Sequence, residues 1–255
     1  MAFSDFVTNL ETERRKLTVL NRTKPDLVYE MLADGFADRQ DNVSIWEVET
    51  DCGKPEDAVL LEDETGVIGV STLGEIEDAL LLVNSDIYVT GTRSLPQVDT
   101  PEVVTKMDNT RLLAEGYPDP RKQKLLLIEI ARYIEARAWR AGDGELYSGF
   151  QALSRIDDES GTREAYERLG ATDAEVHVFG APDWEPPEDM GVIPHSHDVP
   201  DLRESWFVVY APPRDPERKV ALVAVEEGDD RWTAFWTHSE DRVDRIRDYV
   251  VDRYV

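Results

Sequence analysis

The chain of 255 residues has a single cysteine, Cys52. One cysteine cannot close an intramolecular disulfide, and it cannot supply a thiolate metal cluster. No apolar run approaches the roughly 18–20 residues that span a bilayer, and the N-terminal stretch lacks the basic start and apolar core of a secretory signal. We therefore expect a cytoplasmic protein that does not associate with membranes.

The sequence also lacks the common catalytic signatures: the GxSxG of serine hydrolases, the HExxH of zinc proteases, the phosphate-binding P-loop and the dinucleotide-binding GxGxxG. Carboxylate pairs are frequent, but in a chain this acidic their frequency identifies no site. We expect a non-catalytic role, and an enzyme of unrecognised type is the less favoured alternative. The cofactor, if there is one, stays unknown.

Lysine is scarce, with 7 residues against 21 arginines, and the 54 acidic residues bring the net charge to −26. This pattern is typical of extreme halophiles, in which dense carboxylates keep a surface hydrated when salt shortens the Debye length. A mesophilic protein that is acidic for functional reasons is the alternative. In both cases no basic stripe is present, so we do not expect direct binding to nucleic acid.

Hydrophobic periodicity predicts an α/β fold, in which a mixed β-sheet flanked by helices is followed by a C-terminal antiparallel meander and a final helix. The predicted helices are 3–14, 25–38, 73–83, 120–141, 161–169 and one that begins at Ser239. The predicted strands are 16–22, 42–50, 58–63, 65–71, 86–92, 145–151, 174–183, 206–211, 219–227 and 231–238. Thr100 is a candidate N-cap for a short helix that starts with Pro101.

Composition divides the chain into a core at 1–183, a proline-rich loop at 184–204, and a meander plus helix at 205–255 that packs on the same core. A loop of this length is either functional or mobile. We therefore predict two lobes hinged at the loop.

Polar residues interrupt the apolar sequence of the long helix and the strand that follows it. Arg132 and Glu135 are three residues apart, so they form a surface ion pair, an internal pair or part of a ligand site. Beyond the helix, a glutamine amide can orient a ligand and an arginine can clamp an anion. The predicted ligand-binding residues are Arg132, Glu135, Tyr147, Phe150, Gln151 and Arg155.

The proline-rich loop contains a candidate metal site. His195 and His197 are two residues apart and could share a cation, with Asp198 or Glu188 as the third ligand. The alternative is a polar loop surface. His177 alternates into a sheet face, where we expect a core histidine.

Three of the six tryptophans lie in the meander. Trp206, Trp232 and Trp236 are of the type that anchors protein interfaces, and the favoured alternative is that they are ordinary core residues of the sheet. If they are interface anchors, the chain is a dimerising adaptor.

The stretch IEIARYIEARAWRAGDGELYSGFQALSR, followed by REAYERL and AEVHVFGAPD, resembles the DICT sensory domain, and the outer segments resemble the stand-alone halophilic archaeal members of that family. The resemblance implies a cytoplasmic sensory module of signal transduction that binds a small ligand or a signalling protein. Members are often fused to an output domain, which this chain lacks, so a signal would leave through a protein contact. The matching positions are Glu135, Arg137, Gly149, Phe150, Gln151, Ser154, Val178, Gly180 and Asp183.

Overall fold

The structure of the chain is a computed structural model, and it describes residues 1–24, 27–36, 43–80, 95–115, 123–158, 160–228 and 231–255. These residues form two mixed sheets with helices packed on them. The predicted fold class is therefore confirmed, including the antiparallel meander and the final helix. The predicted strand 86–92 lies outside the described residues.

The smaller sheet has four strands: β1 (Arg15–Leu20), β2 (Val43–Val48), β3 (Ala58–Asp63) and β4 (Gly66–Thr72). Their spatial order is β2-β1-β3-β4, with β1 and β2 parallel and the other pairs antiparallel. The hairpin of β3 and β4 is the one predicted from two apolar runs joined by acidic turn residues.

The larger sheet has seven strands: β5 (Leu112–Glu115), β6 (Glu145–Ala152), β7 (Glu175–Ala181), β8 (Ile193–Ser196), β9 (Ser205–Tyr210), β10 (Val220–Glu226) and β11 (Arg231–Thr237). The order is β5-β11-β10-β9-β6-β7-β8. β6, β7 and β8 are parallel, and the remaining pairs are antiparallel. The meander β9–β11 therefore continues the sheet that holds β6.

The described helices are α1 (Phe3–Thr8), α2 (Leu27–Phe36), α3 (73–80), α4 (Glu102–Lys106), α5 (Gln123–Ala141), α6 (Arg155–Asp158), α7 (Ser160–Gly170), α8 (Pro200–Arg203) and α9 (Glu240–Tyr254). Short 3-10 turns occur at Leu95–Gln97, Glu188–Met190 and Pro216–Arg218. Among the described residues, no helix combines the length and the apolar character needed to cross a membrane.

Helices cover both faces of the larger sheet. α5 and α7 lie on one face, within a core cluster that also reaches the smaller sheet, and α1 and α9 lie on the other. α5 is helical because its apolar positions recur at three- and four-residue steps. It ends before Gly142, whose φ of 67° is the left-handed conformation that glycine adopts readily after a helix.

One carboxylate connects distant segments on the α1 and α9 face. Asp201, in α8, accepts hydrogen bonds from the hydroxyls of Tyr249 and Tyr254, each at 2.6 Å. It also accepts the backbone N–H of Phe3 at 2.9 Å. Both ends of the chain are thus fixed to the same short helix.

Two local predictions differ from the structure. The helix predicted over 3–14 ends at Thr8, because the chain turns at Asn9 and the N–H of Glu13 then donates to the carbonyl of Asn109. Thr100 does not cap α4, since Pro101 occupies the cap position. The Thr100 hydroxyl donates instead to the Glu129 carboxylate at 2.5 Å.

The segment 184–204 contains regular structure: the Glu188–Met190 turn, β8 and α8. β8 pairs with β7, and α8 packs against β6, β7 and β9. Whether this segment acts as a hinge between two lobes stays a prediction.

Candidate functional site

A cavity of about 120 Å³ lies between α5 and the ends of the central strands of the larger sheet. The last residues of β6 and β10 lie there beside the first residues of β9 and β11, because these strands pair antiparallel. The described residues that line the cavity are Lys124, Ile128, Ala131, Arg132, Glu135, Phe150, Gln151, Arg155, Thr162, Trp206 and Trp232. Five of the six predicted ligand-binding residues are among them.

One face of α5 forms the first wall. Steps of three and four residues connect Ile128 and Ala131 with Arg132 and Glu135, so all four side chains lie on the same side of the helix. Lys124 is one turn before Ile128 on that side. The helix therefore presents apolar and charged groups to the cavity together.

Arg132 and Glu135 form a buried ion pair, with 8% and 3% of their surfaces exposed. Arg132 Nη1 donates to Glu135 Oε2 at 2.7 Å, and Arg132 Nη2 donates to Thr162 Oγ1 at 2.9 Å. The other carboxylate oxygen accepts the Tyr166 hydroxyl at 3.0 Å. Of the three interpretations that the sequence left open, the structure shows an internal pair, and it places that pair in the wall of the cavity.

The network also affects a tyrosine. Tyr166 is fully buried, and this burial raises the pKa of its phenol well above the ordinary value. The nearby Glu135 charge raises it further. The hydroxyl therefore stays protonated and serves as a fixed donor to the carboxylate.

Gln151 reaches the cavity through an irregularity in β6. The register between β6 and β7 shifts between Gly149 and Ala152, and Gln151 has a φ of 63°. A bulge of this kind redirects a side chain and often occurs beside functional sites. Gln151 Nε2 donates to the Arg203 carbonyl at 2.7 Å and to Glu226 Oε2 at 3.1 Å.

Two cations of the cavity have no carboxylate partner among the described residues. Arg155 is exposed at the start of α6. Lys124 Nζ lies 5.6 Å from the ring centroid of Trp232, a cation–π contact. Trp232 is 5% exposed, and its buried Nε1 has no acceptor in the part of the chain that the structure describes.

The structure does not bring Tyr147 to this cavity. Side chains alternate along a strand, and Tyr147 points to the opposite face of the sheet from Phe150. It stacks on His177 with centroids 4.8 Å apart. Burial there raises the pKa of its phenol.

The three candidate metal ligands have separate partners. His195 Nε2 lies 2.9 Å from His177 Nδ1, and His197 Nε2 lies 2.9 Å from the carbonyl oxygen of Tyr254. Asp198 pairs with Arg203. Within the described ranges, no group of three or more histidine, cysteine, aspartate or glutamate side chains is arranged to hold a metal ion.

A second cavity, of about 360 Å³, lies beside α4 and is lined in part by Glu75, Asp99 and Glu102. Glu75 already accepts hydrogen bonds from Thr72, and Glu102 pairs with Lys106 at 2.6 Å. This cavity offers carboxylates to a ligand, whereas the α5 cavity offers donors and aromatic rings.

Comparisons with known proteins identify no family. No family model matches the chain, and no curated protein matches it. Among solved structures, a polyphosphate kinase from Porphyromonas gingivalis aligns with 98% of this chain at 10% sequence identity and a TM-score of 0.32. The chain spans 46% of that kinase's length. A likeness this weak carries no argument about function.

The positions that carry the DICT resemblance have visible structural roles. Ser154 donates through its N–H and its hydroxyl to the Asp183 carboxylate, at 3.0 and 2.7 Å, which joins the ends of β6 and β7. Arg137 donates to the carbonyls of Glu217 and Arg218. A Cβ on Gly180 would lie 2.8 Å from the backbone nitrogen of Leu153.

Sequence reasoning missed six lining residues: Lys124, Ile128, Ala131, Thr162, Trp206 and Trp232. The helical spacing from Arg132 and Glu135 would have found the first three, because they lie on the same face of α5. Trp206 and Trp232 come from distant strands, and only the order of strands in the sheet brings them to α5.

Proposed function

We propose that the protein is a non-catalytic regulatory module that binds a small anionic ligand in the α5 cavity. The observation that carries this proposal is a recess at which Lys124 and Arg155 have no carboxylate partner among the described residues, in a chain whose net charge is −26. Cations left without a carboxylate in such an acidic chain are suited to an anion from outside.

The chemistry of the cavity favours binding over catalysis. Glu135 is the carboxylate among the described lining residues, and both of its oxygens accept hydrogen bonds. A general base needs access to the proton that it removes. The resemblance to DICT sensory domains supports the regulatory part of the proposal, in which binding shifts an existing conformational equilibrium.

The experiment is a thermal-shift screen of small anions and uncharged metabolites, repeated on two variants. Arg155→Gln removes the exposed cation of the cavity. Arg214→Gln is the matched control, since Arg214 is also exposed and follows the opposite end of β9. We expect anionic hits that Arg155→Gln weakens and Arg214→Gln preserves. If no compound in the screen shifts the melting temperature, the proposal is wrong.

The second candidate function is a homodimerising adaptor. The structure buries Trp232 and Trp236, at 5% and 0% exposure, so these two residues are core residues and not surface anchors. An apolar row lies instead on the smaller sheet. There the strand register places Trp46 and Val70, which are 56% and 51% exposed, on either side of Thr18 and Leu60.

We propose a second copy of the chain as the partner for that row, because Trp46 and Val70 are large exposed apolar side chains in an otherwise acidic protein. Sedimentation equilibrium should show dimers that Val70→Asp dissociates. A monomer at every concentration for the unmodified chain would rule this candidate out.

A further inference from the structure

Five of the eleven described residues that line the α5 cavity are aromatic or aliphatic. Phe150, Trp206 and Trp232 come from the sheet, and Ile128 and Ala131 come from the helix. Its volume, about 120 Å³, is close to that of an apolar protein cavity of about 150 Å³ that accepts benzene. The space therefore suits a body of about one ring and is too small for a nucleotide.

The charges around the cavity define the polar end of the ligand. Lys124, Arg132 and Arg155 are cationic, while Glu135 pairs with Arg132 and Glu226 accepts from Gln151. Among the described residues, Lys124 and Arg155 are the lining cations without a carboxylate partner. The polar end of the ligand is therefore an anion.

The hydrogen-bonding groups agree with the charges. Both oxygens of Glu135 are occupied, and Thr162 Oγ1 already accepts from Arg132. The buried Nε1 of Trp232 has no acceptor among the residues described, and the guanidinium of Arg155 carries several N–H donors in one plane. A carboxylate supplies two acceptor oxygens in the plane that an arginine fork prefers.

We infer that the cavity recognises a planar aromatic monocarboxylate, with its ring among Phe150, Trp206 and Trp232 and its carboxylate held by Arg155 and Lys124. This inference rests on the proposed function and specifies its ligand class. Trp206 and Trp232 line the cavity, so ligand binding changes intrinsic tryptophan fluorescence directly.

The test titrates the full chain with four probes: benzoate, benzamide, acetate and inorganic phosphate. Benzamide keeps the ring and removes the charge, whereas acetate keeps the carboxylate and removes the ring. We expect benzoate to bind at least about 10-fold more tightly than each of the other three, because loss of a charge-assisted bond or of ring burial weakens binding by about that factor or more.

Two variants locate the binding. Arg155→Gln should weaken benzoate binding about 10-fold, and Arg214→Gln should leave it unchanged. Trp232→Phe removes the buried donor while it keeps a ring, and it should also weaken benzoate binding. Because Arg155 is exposed, its replacement tests the inference even if Trp232→Phe fails to fold.

The outcomes separate the inference from the proposed function. If acetate, phosphate or benzamide binds as tightly as benzoate, or if Arg155→Gln binds benzoate normally, the inferred aromatic monocarboxylate is wrong, but the proposed binding of a small ligand is not. The same conclusion follows if benzoate does not bind while other compounds in the wider screen do. If neither experiment detects any ligand, both proposals fail.

Discussion

Replacement of Glu135 by leucine should destabilise the protein by about 3–5 kcal/mol, because it removes the carboxylate that pairs with the buried guanidinium of Arg132. Arg132 is 8% exposed, so water cannot replace the lost carboxylate. The Tyr166 hydroxyl, which is fully buried, loses its acceptor as well. A loss of this size is a large part of the roughly 5–15 kcal/mol that stabilises a typical domain.

The double variant Arg132→Met with Glu135→Leu should recover the part of that loss that comes from the unpaired charge, while Tyr166 still lacks the Glu135 acceptor. Both charges are removed together, and replacing a buried ion pair by apolar side chains of similar volume is often neutral or stabilising. Arg132→Met alone should be strongly destabilising, since it leaves the Glu135 carboxylate buried without its cation. The coupling energy in this double-mutant cycle is therefore expected to be several kcal/mol.

Urea unfolding, followed by tryptophan fluorescence and circular dichroism, measures each free energy without changing the ionic strength. The exposed pair Arg168–Glu164 is the matched control, because its N···O distance of 2.8 Å is close to the 2.7 Å of the buried pair. Its side chains are 42% and 39% exposed, so Glu164→Leu should cost less than about 1 kcal/mol. Equal losses in Glu135→Leu and Glu164→Leu would refute the argument from burial.

Three further predictions concern other parts of the molecule. Gly149→Ala should destabilise the protein by about 1–3 kcal/mol or more in urea unfolding, because a Cβ at Gly149 would lie 2.2 Å from a ring carbon of the buried Phe207. Acidification should reduce stability through His177 and His195: burial lowers the pKa of both imidazoles, that of His195 to about 4. The neutral histidines contribute their full share of the unfolding free energy above the ordinary pKa of about 6.5. As the pH falls toward the folded-state pKa this share is lost, and the loss is about 1–2 kcal/mol after allowance for partial exposure. The unfolding free energy at a series of pH values should therefore fall less steeply on acidification in His195→Gln. Raising KCl from about 0.1 M to about 1 M should raise the melting temperature, because the Debye length falls from about 10 Å to about 3 Å and screens the repulsion of a chain at −26.

Each of these predictions has a control and an outcome that would contradict it. Gly69→Ala is the control for Gly149→Ala, since the atom nearest to a Cβ on Gly69 would be 3.5 Å away. An equal loss of unfolding free energy in the two variants would contradict the argument from the clash with Phe207. Glu175 approaches His177 at 3.8 Å and partly offsets the effect of burial on the His177 pKa, whereas the neighbouring imidazoles of His177 and His197 lower the pKa of His195 further. Identical pH profiles for the wild type and His195→Gln would remove the histidines from the acid response. A melting temperature that does not rise with KCl would show that charge repulsion does not limit stability.

Periodicity predicted the elements of this fold better than their arrangement. The spacing of Leu126, Leu127, Ile130 and Ile134 specified α5, and the apolar runs specified β9, β10 and β11, because each pattern is local. The order of strands depends on pairing between distant segments, and the sequence predicted neither the separation into two sheets nor the position of β6 between β7 and β9.

The same limit applies to the candidate site. Arg132, Glu135, Phe150, Gln151 and Arg155 are close in the sequence and meet at one cavity. Regular alternation in β6 would place Gln151 on the side of Tyr147, and only the local bulge with its positive φ turns Gln151 toward the cavity. Trp206 and Trp232 could not be placed at the cavity from the sequence, because their position there depends on the order of the strands.

The attachment of α1, α8 and α9 to Asp201 has a consequence for the rate of folding. Phe3 and Val7 pack with Phe207, Val243 and Ile246, so this layer joins segments that are far apart in the sequence. Contacts between such distant segments form slowly, because the entropy of closing the intervening chain is lost before the contacts stabilise it. Until α1 and α9 have docked, β9, β10 and β11 expose an apolar surface on that side of the sheet, so refolding chains should be most prone to aggregate at this stage.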